Sequence, residues 1–322
     1  MKKFGFRIVL TVICFILIVQ TVLAAEYLVP GGQVIGLDIQ DHSVTVAAFD
    51  ENLGAAAKNC GLQIGDRITA INGKSVRCAQ DIRDLLKCTD GEAEISIIRG
   101  KDTKKLRIKP AITQDGPKLG VFLKQGITGV GTVTWYDPET GVFGALGHGV
   151  NDPNGSLVAM EKGHVYPASV VTVRTGKAGD PGQLMSTVTG GGIIGTLRKN
   201  TAQGVFGTAQ FSQATEKLPV GEKGQIHTGT AVIRSTVAGN TVQEYSVEIL
   251  KIYANSGNTG RNMLLKVTDP DLLAATGGIV QGMSGSPIIQ DGKLIGAVTH
   301  VLVNDPTTGY GIFIENMLDA AA

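Results

Sequence analysis

Glycine is the residue that most restricts what this chain can become. It occurs 44 times in 322 residues, roughly twice the usual share of about 7%, and without the every-third-residue period of collagen. Glycine weakens helix interiors and suits tight turns. Beyond Gly116-Pro117 the sequence reads as short apolar segments punctuated by Gly, Asn, Asp and Pro, so the fold is expected to be mainly β, with the helical signals confined to the first third. With Lys+Arg 29 against Asp+Glu 28, the net charge of +1 removes the positive field on which non-specific nucleic-acid binding depends. A hydrophobic share of 43% with 18% charged residues is too apolar for disorder and is enough for a sizeable core, and the length favours two domains.

The N-terminus reads as an export signal. Lys2, Lys3 and Arg7 precede an apolar stretch from Ile8 to Val19 that continues after Gln20 to Ala25. It approaches the roughly 20 residues needed to cross a bilayer, with small residues at Ala24 and Ala25 for a signal peptidase. Residues 1–26 are thus expected to be a signal peptide or membrane anchor, with everything after them translocated. Four cysteines are too few for a disulfide scaffold. Cys60, Cys78 and Cys88 have no metal-like spacing with a histidine and read as small core or surface residues.

From Tyr27 to about Pro110 short strands alternate with helices. Val44 to Phe49 reads as a strand and Leu53 to Asn59 as a short helix. Ile68 to Ile71 is a strand closed by the hairpin turn Asn72-Gly73, and Asp81 to Lys87 places Ile82, Leu85 and Leu86 at helical spacing. Glu94 to Arg99 and Leu106 to Lys109 are strands joined by the turn Gly100-Lys101-Asp102. The basic residues Lys101, Lys104, Lys105, Arg107 and Lys109 read as a solvated strand face. The string Gly65-Asp66-Arg67-Ile68 with Ile71-Asn72-Gly73-Lys74-Ser75-Val76 resembles a PDZ domain over about 85 residues. That resemblance implies a loop ahead of an edge strand that takes a peptide's terminal carboxylate. The glycine-bearing segment Pro30 to Leu37 is the expected loop, with Ile35, Gly36 and Leu37 nearest the ligand. The composition shift at residues 111–118 gives expected domains of 27–112 and 113–322.

Chemistry is expected in the second unit. Gly282-Met283-Ser284-Gly285-Ser286-Pro287 puts a hydroxyl on a tight turn, with neighbouring amides available to a developing oxyanion. The amides of Gly282 and Ser284 are the candidates. The lipase-type elbow is excluded, since Ser286 stands where that motif needs glycine and no helix follows. A serine requires a base. Of five histidines, His148 in Gly144-Ala145-Leu146-Gly147-His148-Gly149 ends an apolar strand among glycines. A second run, Leu294-Ile295-Gly296-Ala297-Val298-Thr299-His300, repeats the form of Val142 to His148. This repetition suggests two similar β units, as in chymotrypsin-like double-barrel peptidases, with His300 lining the substrate cleft. A Ser-Lys pair using Lys266 or Lys293, or an exported PDZ scaffold that binds protein termini without hydrolysis, are the alternatives. No HExxH, Walker or dinucleotide fingerprint occurs, so no metal or organic cofactor is implied.

These motifs, together with Thr299-His300-Val301-Leu302-Val303-Asn304-Asp305-Pro306, resemble the stage IV sporulation protein B (SpoIVB) serine peptidase family across nearly the whole chain. The resemblance implies an anchored, self-cleaving endopeptidase. It would act in the forespore intermembrane space on a regulatory membrane protein, and the cut would trigger activation of a late sigma factor. It carries the nucleophile onto Ser284, the base onto His148 and the third catalytic residue onto Asp269 in Val267-Thr268-Asp269-Pro270. An aspartate before proline is also a common turn cap, and Asp271, Asp152 and Asp180 remain candidates.

Overall fold

The computed structural model describes residues 27–152, 155–212, 216–254 and 260–322; the N-terminal segment expected to be a signal or anchor lies outside them. Among the described residues no helix is long and apolar enough to cross a membrane. Two closed rings of antiparallel strands carry the architecture. One ring runs Gly229–Ser235, Gln243–Ile252, Met263–Val267, Asp305–Phe313, Lys293–Leu302, Pro287–Gln290 and back to its start. Its sequence alternates as a one-face-buried strand must: in Gln243–Ile252, Tyr245, Val247 and Ile249 point inward while Glu244 and Glu248 face water.

The other ring runs Val34–Phe49, Val121–Tyr136, Val142–Ala145, Gly204–Ala209, Gly195–Thr201 and Lys162–Arg174, the last pairing with Val34–Phe49 again. Ile35, Leu37, Ile39, Val133, Phe143 and Val165 fill it. A third cluster joins the barrels: Leu28, Trp135 and Phe206 from the first pack with Leu294, Ala297 and Ile312 from the second, sealed by Ile314 and Met317 of the C-terminal helix Ile314–Ala321. Because the groove between barrels is backed by one continuous apolar cluster, groups on its two walls keep a fixed spacing. The expected double β-barrel plan is therefore present.

The PDZ unit differs from expectation in its place. Its core, built on Val44, Val46, Ile68, Ile71, Ile82, Leu86, Ile95 and Ile97, also takes Leu119, with Val121 and Leu123 packed against it. The unit is inserted into the first barrel. Val34–Phe49 and Val121–Tyr136 are each 16 residues long. They pair in the barrel at 34–39 with 127–132, and again in the PDZ unit at 44–49 with 121–125. This corrects the boundary at 112: residues 27–39 belong to the peptidase, and the PDZ unit extends to about residue 125. The glycines at 116 and 120 mark turns inside that unit, and the crossing itself falls at the register shift opposite Gly126 (φ 75°). The motif residues hold it together. Asp66, fully buried, receives both Nε and Nη2 of Arg99 at 2.7 Å and the Gln63 amide at 2.8 Å. The turn Asn72-Gly73 has φ of 50° and 76°, the paired positive values of a two-residue hairpin.

Among the described residues two short α-helices, besides a single 3₁₀ turn at Lys223–Gln225, interrupt the β-rich second half where few helical signals were expected. One is the C-terminal helix; the other, Pro270–Thr276, begins at Asp269 and ends at Gly277 with φ 75°.

Candidate active site

The serine loop is anchored by its apolar residues: Ile279, Val280 and Met283 are buried in the second barrel. Ser284 is thereby turned toward the first barrel between Gly282 (φ 101°) and Gly285 (φ 97°). A Cβ on Gly285 would lie 2.0 Å from the Thr132 carbonyl oxygen and 2.6 Å from the Leu146 nitrogen, so the close approach of the two barrels requires glycine there. Thr132, fully buried, clamps the loop across the interface. Its amide donates to the Ser284 carbonyl at 3.1 Å and its hydroxyl to the Gly282 carbonyl at 2.8 Å. The amide of Met283 donates to Val280 and that of Gly285 to Val298. Among the described residues the amides of Gly282 and Ser284 have no hydrogen-bond acceptor.

His148 comes from the opposite wall. After the strand Val142–Ala145 the chain turns through Leu146 (φ 71°) and Gly147 (φ 68°), lifting the histidine off the sheet into the groove. A leucine in this left-handed region is strained by order 1 kcal/mol or more. The His148 Nδ1 lies 2.9 Å from the Gly149 carbonyl oxygen. A carbonyl only accepts, so Nδ1 carries the proton and Nε2 of the neutral ring is left with its lone pair. Burial pushes the His148 pKa below its usual value, against the opposing effect of the Gly149 carbonyl.

Ser284, His148 and His300 line one groove of about 490 Å³. The two imidazoles lie 5.5 Å apart between ring centroids. His300 sits on the strand Lys293–Leu302. Burial, then the charges of His148 and Arg261, lower its pKa to about 4. The Ser284 hydroxyl donates to the Thr299 carbonyl at 2.9 Å, so a rotation about its Cα–Cβ bond is needed before it can donate to an imidazole.

Asp269 is elsewhere. Its carboxylate caps the helix Pro270–Thr276 through the amides of Asp271 and Leu272 at 3.1 and 3.0 Å, and takes the Ser246 amide at 3.1 Å. Proline at the first helical position and a left-handed glycine at the end complete a regular cap pattern. Asp269 therefore acts as a cap: its two carboxylate oxygens are engaged by the Ser246, Asp271 and Leu272 amides, and it is neither in the lining of the groove nor hydrogen-bonded to His148, which corrects its expected place. Of the remaining candidates, Asp180 pairs with Arg174 and Asp152 accepts from the Ser156 amide, and none of Asp152, Asp180 and Asp271 lines the groove. Among the described residues no carboxylate is hydrogen-bonded to His148. Lys293 donates to Gln225, and neither it nor Lys266 lines the groove.

A family model described as SpoIVB peptidase S55 matches residues 115–318, well over half the chain, and a PDZ model matches 52–99. The chain belongs to the SpoIVB peptidase S55 family. It is a serine peptidase with a PDZ domain inserted in its first barrel. No curated protein sequence matches it. Among solved structures it is similar to the PDZ domain of an SdrC-like protein from Listeria monocytogenes, at 27% identity, covering 26% of this chain and 87% of that one with a TM-score of 0.22. It is similar to an inactive serine-to-alanine mutant of Rv3671c from M. tuberculosis at 14% identity, over 60% of this chain and 81% of that one, with a TM-score of 0.33. The HtrA-type protease AlgW with a decapeptide shares 13% identity over 66% of this chain and 59% of that one, with a TM-score of 0.36. The architecture of this S55 peptidase rests on its own strand pairings, and its family on the matching model.

Ile35, Gly36 and Leu37, expected at the PDZ ligand, lie inside the peptidase barrel. Each is paired on both sides: Ile35 with Gly131 and Pro167, Gly36 with Val130 and Tyr166, Leu37 with Gly129 and Val165. Their backbone groups are spent in the sheet, which corrects that expectation. The open edge is instead at residues 121–125, paired with 44–49 on one side and with no strand on the other among the described residues. The turn leading into it contains Gly120 (φ 72°), where a Cβ would stand 2.2 Å from the Leu53 carbonyl oxygen.

Proposed function

We propose that Ser284 is the nucleophile of an endopeptidase and His148 its general base, with the Gly149 carbonyl in place of an orienting carboxylate. The observation that carries this reading is the single groove holding Ser284, a His148 ring in the tautomer that exposes Nε2, and the unengaged amides of Gly282 and Ser284. The hydroxyl turns from the Thr299 carbonyl toward Nε2. Its proton passes to that nitrogen as the oxygen attacks a peptide carbonyl, and the two amides take the developing oxyanion. The imidazolium returns the proton to the leaving amine, and water repeats the sequence on the acyl-enzyme. His300 forms the wall of the substrate cleft beside the base.

The PDZ unit in this reading takes a peptide along the open edge at 121–125, its terminal carboxylate at the Leu119-Gly120 turn, by strand addition. Residues 1–26 deliver or anchor the enzyme across the cell membrane. By family membership it cleaves itself and a regulatory membrane protein in the forespore intermembrane space, the step that triggers activation of a late sigma factor. The test is to incubate the full chain with extracytoplasmic domains of candidate membrane proteins, beside Ser284→Ala. Cleavage by the wild type and none by a folded Ser284→Ala supports the reading; equal cleavage by both refutes the nucleophile.

A further inference from the structure

A second cavity, of about 540 Å³, adjoins the catalytic groove and shares Ile127 and Asn151 with it. It lies where the PDZ sheet meets the first barrel. One wall is a cross-strand row: Lys124 stands opposite Thr45, Thr45 opposite Arg67 and Arg67 opposite Ile98. Directly opposed residues share a face. The face is the one away from the PDZ core, since the neighbouring row Val44, Ile68 and Ile97 is buried inside it. Lys124 and Arg67 are two strands apart, roughly 10 Å between backbones, so both long side chains can reach one carboxylate set between them.

Neither cation has an ion-pair partner among the described residues. Two carboxylates, Asp41 and Asp152, also line the cavity and keep their charge, each hydrogen-bonded by neutral groups. Asp41 Oδ1 accepts the Ser43 amide at 2.9 Å and also the Ser43 hydroxyl, and Asp152 Oδ1 accepts the Ser156 amide at 3.0 Å. The rest of the lining mixes Ile98 and Ile127 with glycines and the neutral polar groups of Ser43, Thr45 and Asn151, which can serve the backbone of an extended polypeptide. Lys124 and Val130, which lines the catalytic groove, are six residues apart on one strand, at most roughly 20 Å at about 3.3 Å per residue, since Gly126 (φ 75°) bends the strand between them.

We propose that the polypeptide being cut continues from the catalytic groove into this cavity, where Arg67 and Lys124 receive an acidic side chain four to seven residues from the scissile bond. This contact is on the face of the PDZ sheet and is separate from the open strand edge at 121–125. It makes the inserted domain a wall of the peptidase's own substrate cleft, and it selects substrates by charge at a distance from the bond broken. The proposal rests on the reading of Ser284 and His148 as the reacting pair.

Full-length enzyme and an internally quenched peptide that it cleaves provide the test. A single Glu, or Gln or Lys in its place, is walked through positions three to eight on each side of the scissile bond. The expected result is a Glu-over-Gln preference in kcat/KM of roughly threefold to tenfold, the scale of a partly solvated charge contact. It should occur on one side only, within positions four to seven, and be expressed in KM. In Arg67→Gln/Lys124→Gln the ratio should fall to about one, and in Arg67→Glu/Lys124→Glu it should invert in favour of Lys. A wild type indifferent to Glu at all of these positions overturns the proposal. So does a Glu preference that survives the double Gln substitution, or a charge reversal that leaves the ratio unchanged. Ser284→Ala, run in parallel, reports on the reacting pair separately: cleavage persisting there would sink that reading whatever the Glu ratio.

Discussion

His148 and His300 end two runs of nearly the same sequence, yet the backbone treats them differently. In the second run the strand continues past Thr299, which bulges between the pairs Val298–Gly311 and His300–Tyr310 and whose hydroxyl is tied to the carbonyls of Gly260 and Tyr310 at 2.6 and 3.2 Å. His300 thus stays on its strand, with its Nδ1 buried and without a partner among the described residues. In the first run glycine stands at 147, the equivalent of Thr299. The chain leaves the strand there through two left-handed residues, and a Cβ at 147 would press to 2.8 Å against the Thr299 methyl. The left-handed turn at Leu146 and Gly147 presents one histidine at the mouth of the groove with its tautomer fixed, where the strand through Val298 and Thr299 keeps the other as a wall. The same apolar form ends in two different backbones, and the glycine at 147 permits the departure.

The widest separation between the two should come from removing each imidazole. His148→Ala is expected to lower kcat/KM by 10³-fold or more, the scale of losing a general base from a hydrolytic pair. His300→Ala should cost no more than about tenfold and should change which peptide side chains are preferred. Equal losses in steady-state kinetics would break the distinction. A smaller effect is expected from Thr132→Val, which removes the hydroxyl holding the Gly282 carbonyl and leaves that buried acceptor unpaired. A loss of about 1–3 kcal/mol in stability, with a roughly tenfold fall in kcat and little change in KM, would mark it as a positioning residue. Unchanged kcat would contradict that role. The smallest effect is expected from Asp269→Asn. Asparagine caps helices nearly as well as aspartate, so activity should remain within about threefold, with a melting midpoint lowered by no more than a few degrees. An orienting aspartate would instead lose about 10⁴-fold on this change.

Much of this was legible in the sequence because the motifs are local. The hairpin at Asn72-Gly73, the Asp66 turn, the glycine-flanked Ser284 and the strand-ending His148 each depend on residues a few positions away. What was illegible depends on distance. Thr132 contacts a carbonyl 150 positions along the chain, and no pattern around it announces this. The insertion of the PDZ unit was hidden because Val34–Phe49 and Val121–Tyr136 each serve two cores in succession with only a register shift opposite Gly126 between them, so the true boundaries fall inside strands. The cap at Asp269 was visible as Asp-Pro followed by glycine seven residues on from Pro270. The family likeness favoured a catalytic role for it, and the chain's own capping chemistry favours the helix.

The central claim, that His148 alone activates Ser284, is most directly tested by the rate at which a fluorophosphonate labels Ser284 as a function of pH. A base must be neutral to accept a proton, and burial lowers the His148 pKa, so the acidic limb of the labelling rate should fall below the ordinary histidine value of about 6.5. Labelling should nearly vanish in His148→Ala while persisting in Asp269→Asn. A midpoint raised above that value, as a neighbouring carboxylate would produce, or undiminished labelling of His148→Ala, would contradict the account.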